Sequence, residues 1–113
     1  LYLNQGRPQF ILNDLKGSSV SVTSDAQLEG KADLQLDVAR GAPGGDGKSD
    51  FDVTIRDGSR LLIHQVVRFA LPPYFGLSEV FGVGSDAGSA VLSGYPAGSS
   101  FPGRIGTVRF DFR

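Results

Sequence analysis

The chain has 113 residues, a formal net charge of −1, 40% apolar and 20% charged side chains, a size and mix that suit one globular domain over residues 1–113 with its own core. The near-neutral balance gives no electrostatic ground for nucleic acid or an acidic membrane as a partner, and no apolar run approaches the length that spans a bilayer. Cysteine is absent, which excludes disulfides, thiolate metal ligands and a cysteine nucleophile.

Taken in chain order, the residues predict short strands throughout. Leu1 to Asn4 and Arg7 to Asn13 flank Gln5-Gly6, a tight turn in which glycine accepts positive φ. Ser18 to Ser24 alternates, with Val20 and Val22 inward. After the turn Glu29-Gly30-Lys31, the stretch Ala32 to Ala39 sets Leu34, Leu36 and Val38 on one face and Asp33, Gln35 and Asp37 on the other. Phe51 to Arg56 alternates again, Asp57-Gly58 signals a hairpin, and Arg60 to Phe69 returns antiparallel. Leu61-Leu62-Ile63 and Val66-Val67 break the alternation, so this arm is expected to be covered on both faces. Val80 to Val83 reads as a short strand, and Gly106 to Arg113 as a closing strand with Val108, Phe110 and Phe112 inward. No window holds a helical apolar period. The expected fold is all-β, a two-sheet antiparallel β-sandwich of jelly-roll, concanavalin-like type. The start at Leu1-Tyr2-Leu3, already in strand alternation and without an initiator methionine, leads us to expect a piece of a longer protein.

Several motifs resemble the C-terminal accessory domain of bacterial arylsulfatase-like enzymes. Leu1-Tyr-Leu-Asn-Gln-Gly6 is similar to that tail's opening strand, Leu28-Glu-Gly-Lys31 to its turn before an extended strand, and Gly41 to Lys48 to its glycine-rich loop. The Asp57-Gly58 hairpin leads into Ala70-Leu-Pro-Pro-Tyr-Phe-Gly-Leu-Ser-Glu79. Val80-Phe-Gly-Val-Gly-Ser-Asp-Ala-Gly-Ser-Ala-Val91, Tyr95 and Phe101-Pro-Gly-Arg-Ile105 then resemble the family's "V-G-x-D-x-G-S-x-V…Y…F-x-G-x-I" ending. Ser85 stands where the family usually has a charge, Ala90 where proline is common, and Asp46 and Asp50 enrich the glycine-rich loop. The same ending is also similar to laminin-G and other concanavalin-like modules.

The resemblance implies a domain that packs on and supports a catalytic sulfatase domain of the same parent chain. The catalytic centre of such an enzyme needs Cys/Ser-x-Pro-x-Arg, which matures to formylglycine, with calcium carboxylates, lysine and histidines. No proline is read as lying two positions after a serine and two before an arginine, a single histidine, His64, cannot supply the usual pair, and the machinery is expected to lie outside this chain. No catalytic, cofactor-binding or metal residue is therefore assigned, and no cofactor is expected. His64 reads as structural or solvated. Gly44-Gly-Asp-Gly-Lys-Ser-Asp-Phe-Asp52 offers oxygen atoms, but without the spacing of an EF-hand loop, and Asp50 and Asp52 suit the solvent face of a strand. Gly82 to Gly88 reads as a turn with Asp86 on backbone amides. Tyr74, Phe75 and Tyr95 are core-capping aromatics or, in the alternative reading of a lectin-like carbohydrate-binding module, a platform for sugar. Tyr74, Phe75, Asp86 and Tyr95 are thus the candidate ligand or interface contacts. Leu61 to Val67 and the Pro72 to Phe75 corner carry more apolar residues than one core face uses, which predicts self-association of the isolated piece.

Overall fold

The computed structural model describes residues 1–14, 16–71, 103–109 and 111. Contacts divide the chain into two units, Leu1–Pro73 and Tyr74–Arg113.

The first unit is all-β, and no helix occurs among the described residues. Its strands are β1 (Tyr2–Asn4), β2 (Arg7–Asn13), β3 (Ser19–Thr23), β4 (Leu34–Arg40), β5 (Ser49–Asp57) and β6 (Arg60–Phe69). They form two antiparallel three-stranded sheets, ordered β1-β2-β3 and β4-β5-β6. Each sheet is a meander of consecutive strands, because tight turns leave each strand beside its predecessor.

The turns follow the expected chemistry. Asn4 pairs with Arg7, and Gln5 and Gly6 between them take φ of 52° and 77°, the doubly left-handed geometry whose twist matches flanking strands. Asp57 pairs with Arg60, and Gly58 takes φ 57° at the first turn position. The β3–β4 connection is strapped to both sheets. The Leu28 amide donates to the Gly6 carbonyl at 2.8 Å, and the Gly58 amide donates to the Asp33 carbonyl at 2.8 Å. The Asp33 amide in turn donates to Asp57 Oδ1 at 2.9 Å.

Alternation on β5 produces the core. Phe51, Val53 and Ile55 are buried while Asp50 before them and Asp52 between the first two are exposed. Val22 of the first sheet joins Phe51, Val53 and Val67 of the second in one cluster, with Phe10, Leu12, Val20, Leu36, Ile63, Phe69 and Leu71 packed against it. Burial of each large apolar side chain contributes about 1.5–3 kcal/mol. Arg40 covers one side of this core, its guanidinium carbon 5.6 Å from the Phe51 ring centroid.

Two expectations are corrected. Arg60 to Phe69 is not covered on both faces: β6 is an edge of its sheet, and Leu61 and Val66 are 54% and 53% exposed. Its broken alternation has a different origin. Ile55 pairs with Ile63 but Arg56 with Leu61, so Leu62 is the extra residue of a bulge, which resets the inward–outward order. The second correction concerns the closing strand. Residues 103–109 and 111 form no strand, and Val108 is 45% exposed. Alternating apolar residues make a strand only beside a neighbour, and no ladder partner for them occurs among the described residues. The expected strand Val80 to Val83, Phe110, Phe112 and the Pro72 to Phe75 corner lie outside the described residues.

Candidate functional site

Among the described residues, a cluster of charged side chains meets on the outer face of the second sheet. Register dictates which they are, because residues directly opposite one another point to the same face. One row across the sheet is Asp37, Thr54 and His64, the next is Ala39, Asp52 and Val66, and Asp50 lies opposite Arg68.

Arg68 is the hub. Its Nη1 donates to Asp50 Oδ1 at 3.0 Å, directly across the ladder. Its Nη2 and Nε donate to Asp46 Oδ1 and Oδ2 at 2.9 and 3.4 Å, a fork-to-fork pairing with the β4–β5 connection. That connection is shaped to receive it. The Gly44 amide donates to the Lys48 carbonyl and the Gly47 amide to the Gly44 carbonyl, and Gly47 takes φ 75°. A Cβ on Gly44 would lie 2.7 Å from Arg68 Nη2 and 3.1 Å from Asp46 Oδ1, so a larger residue there would push the guanidinium off its present seat against the loop. The Lys48 amide also donates to Asp46 Oδ1 at 3.1 Å. This backbone bond first, and Arg68 second, hold the Asp46 carboxyl below the usual carboxylate range, while the carboxylates raise the Arg68 guanidinium further.

A second pair lies beside it. His64 Nε2 donates to Asp52 Oδ1 at 2.6 Å, diagonally across the β5–β6 ladder, with both side chains about half exposed. His64, read from the sequence as structural or solvated, is oriented by Asp52. Among the described residues no nucleophile completes the arrangement. Thr54 stands opposite His64 in register, but no hydroxyl–imidazole bond forms between them. The pair orients an imidazole and carries no bond-making group.

Asp46, a member of the loop considered for calcium, is turned onto Arg68, as is Asp50. No three histidine or acidic side chains converge for a metal among the described residues. Asp50 and Asp52 lie on the solvent face of β5, as their alternation implied. Tyr74, Phe75, Asp86 and Tyr95, the candidate contacts, lie outside the described residues. Sequence reasoning missed Arg68: counting back from the Asp57-Gly58 turn sets Val67 opposite Asp50, and only the bulge at Leu62 brings Arg68 there.

One reading of the sequence itself needs correction. The bare sulfatase pattern is not wholly absent from the chain, since Ser100-Phe101-Pro102-Gly103-Arg104 satisfies it. Three fixed letters are a weak signal, and the chain's lone histidine, paired with Asp52, cannot provide the companions such a centre uses. Ser100 and Pro102 lie outside the described residues, and Arg104 is exposed.

No family model, curated protein or solved structure matches the chain.

Proposed function

We propose that the chain is a non-catalytic β-sandwich module, the C-terminal accessory domain of an arylsulfatase-like hydrolase, which packs on and supports a catalytic domain. Its jelly-roll, concanavalin-like wiring belongs to the same proposal and rests on the pattern of short strands and turns. The observation that carries the reading is the outer face of the second sheet. Arg68 is paired with Asp46 and Asp50, and His64 with Asp52, which ties the most prominent charged side chains of this face to structural partners and puts no nucleophile beside the imidazole among the described residues. Leu61 and Val66 stand exposed on the same face, apolar area of the kind a neighbouring domain covers. The shared core of the two sheets supports the sandwich.

The reading is tested by co-expressing the chain with the product of the reading frame upstream of it. A Cys/Ser-x-Pro-x-Arg centre in that frame, with a stable complex weakened by Leu61→Asp and Val66→Asp, is the expected result. An upstream frame without such a centre, or glycan binding by a chain that ignores the upstream product, rejects it in favour of the lectin-like module.

A further inference from the structure

The chain contains two Asp-Gly dipeptides, Asp46-Gly47 and Asp57-Gly58. Asp-Gly is the dipeptide most open to intramolecular cyclisation, because glycine has no Cβ to obstruct the approach of its own nitrogen to the neighbouring side chain. In that step the glycine amide nitrogen, losing its proton, bonds to Asp Cγ, and the carboxyl hydroxyl leaves as water. The resulting succinimide is reopened by one water at either carbonyl, to aspartate or to isoaspartate. One water leaves and one returns, and nothing is oxidised or reduced. The electrophile is the neutral carboxylic acid, since a carboxylate has no hydroxyl to expel.

The two sites are held differently. Asp57 ends β5 and pairs with both Leu34 and Arg60. Its carboxylate accepts from the Asp33 amide at 2.9 Å, and the Gly58 amide, the would-be nucleophile, donates to the Asp33 carbonyl at 2.8 Å. Nucleophile and electrophile are therefore both held by the main chain of Asp33, beside the start of β4. Asp46 belongs to no strand. The Gly47 amide has only the local turn bond to Gly44, at 3.0 Å. The Asp46 carboxylate is kept ionised and turned away by the Lys48 amide and by the Arg68 fork, the one restraint on it that comes from another element.

We propose that Asp46 is a site of spontaneous isomerisation to isoaspartate, and that the Arg68 ion pair holds this reaction in check. Isoaspartate adds a methylene to the main chain and shortens the side chain, so Arg68 loses its forked partner and the β4–β5 connection is released from β6. The change is covalent and reverses only slowly, through the same succinimide, which makes the pair a guard on the age of this face.

The test is incubation of the whole chain at neutral pH and physiological temperature, followed by peptide mapping that separates aspartate, succinimide and isoaspartate at positions 46 and 57. The urea-unfolded chain sets the unrestrained rate at each. The folded wild type should be slow at both. Arg68→Gln should raise isoaspartate at 46 severalfold and leave 57 unchanged. The unmutated chain in concentrated salt, which screens an exposed ion pair, should move 46 in the same direction. Equal rates at 46 in wild type and Arg68→Gln overturn the proposal. A parallel rise at 46 and 57 in the variant signals an opened fold, and the salt arm then decides: no rise at 46 there overturns it as well.

Discussion

At the scale of single residues, Gln5 holds a conformation that its side chain does not favour. With φ 52° it sits in the left-handed region as a non-glycine residue, a placement that costs roughly 1–2 kcal/mol, and its carbonyl still accepts from Gln27 Nε2 at 2.9 Å. Asparagine tolerates this region better, and Asn-Gly is the strongest signal for such a turn. Gln5→Asn should therefore raise stability modestly, read as an upward shift in the urea midpoint. Asp14 and Asp46 carry the pH dependence. The backbone amides of Lys16 and then Ser18 hold the Asp14 carboxyl low, as the Lys48 amide and then Arg68 hold Asp46. Because both folded-state values are depressed, their contribution is present above the unfolded carboxylate range of about 3.9 and is lost as pH falls through the lower folded values. Urea melts across acid pH should show this fall, and Asp14→Asn and Asp46→Asn should each flatten it. Neither carboxylate is closed off from water, Asp46 being about half exposed, so the effect is small and diminishes with salt.

At the scale of the element, the β5–β6 hairpin is the unit on which the rest depends. Phe51→Ala, at a buried core position, should cost about 3–5 kcal/mol, and Ile63→Ala, only partly buried, should fall toward the low end of the 2–5 kcal/mol range. Thermal melts in which both changes are nearly silent would make the hairpin peripheral. This hairpin was legible in advance because its signals are local: strict alternation from Phe51 to Ile55 and a turn dipeptide at Asp57-Gly58. The first hairpin was legible for the same reason. What failed was information that depends on pairing. Leu61-Leu62-Ile63 looks like a strand buried on both faces, and only the register shows a bulge at Leu62. The alternation at Val108 is real, yet it has no partner strand among the described residues. The Arg68 hub was hidden because it joins Asp50, fixed by register, to Asp46, set by the fold of a glycine-rich loop. Asp52 was hidden from His64 by the same diagonal, which requires the register to be known.

At the scale of the whole molecule, the proposal of a non-catalytic module predicts no turnover of an aryl sulfate by the pure chain. Activity abolished by Ser100→Ala would convert the Ser100–Arg104 string from coincidence into a centre. The exposed pair Leu61 and Val66 predicts weak self-association when no partner is supplied, which light scattering should detect and Val66→Asp should remove. Topology carries a further consequence, for the rate of folding. Within each sheet every strand pairs with its sequence neighbour, so nearly all ladder formation closes short loops and is fast for a β-rich chain. The exception is the docking of one meander on the other. The strap between β3 and β4 spans both, fastened at Gly6 by Leu28 and at Asp57 and Gly58 by Asp33, and it shortens the search for that docking. Asp57→Ala, which removes the acceptor for the Asp33 amide, should therefore lower the folding arm of the chevron and leave the unfolding arm almost in place. The strap acts as a pacemaker: it sets how soon the two meanders find one another.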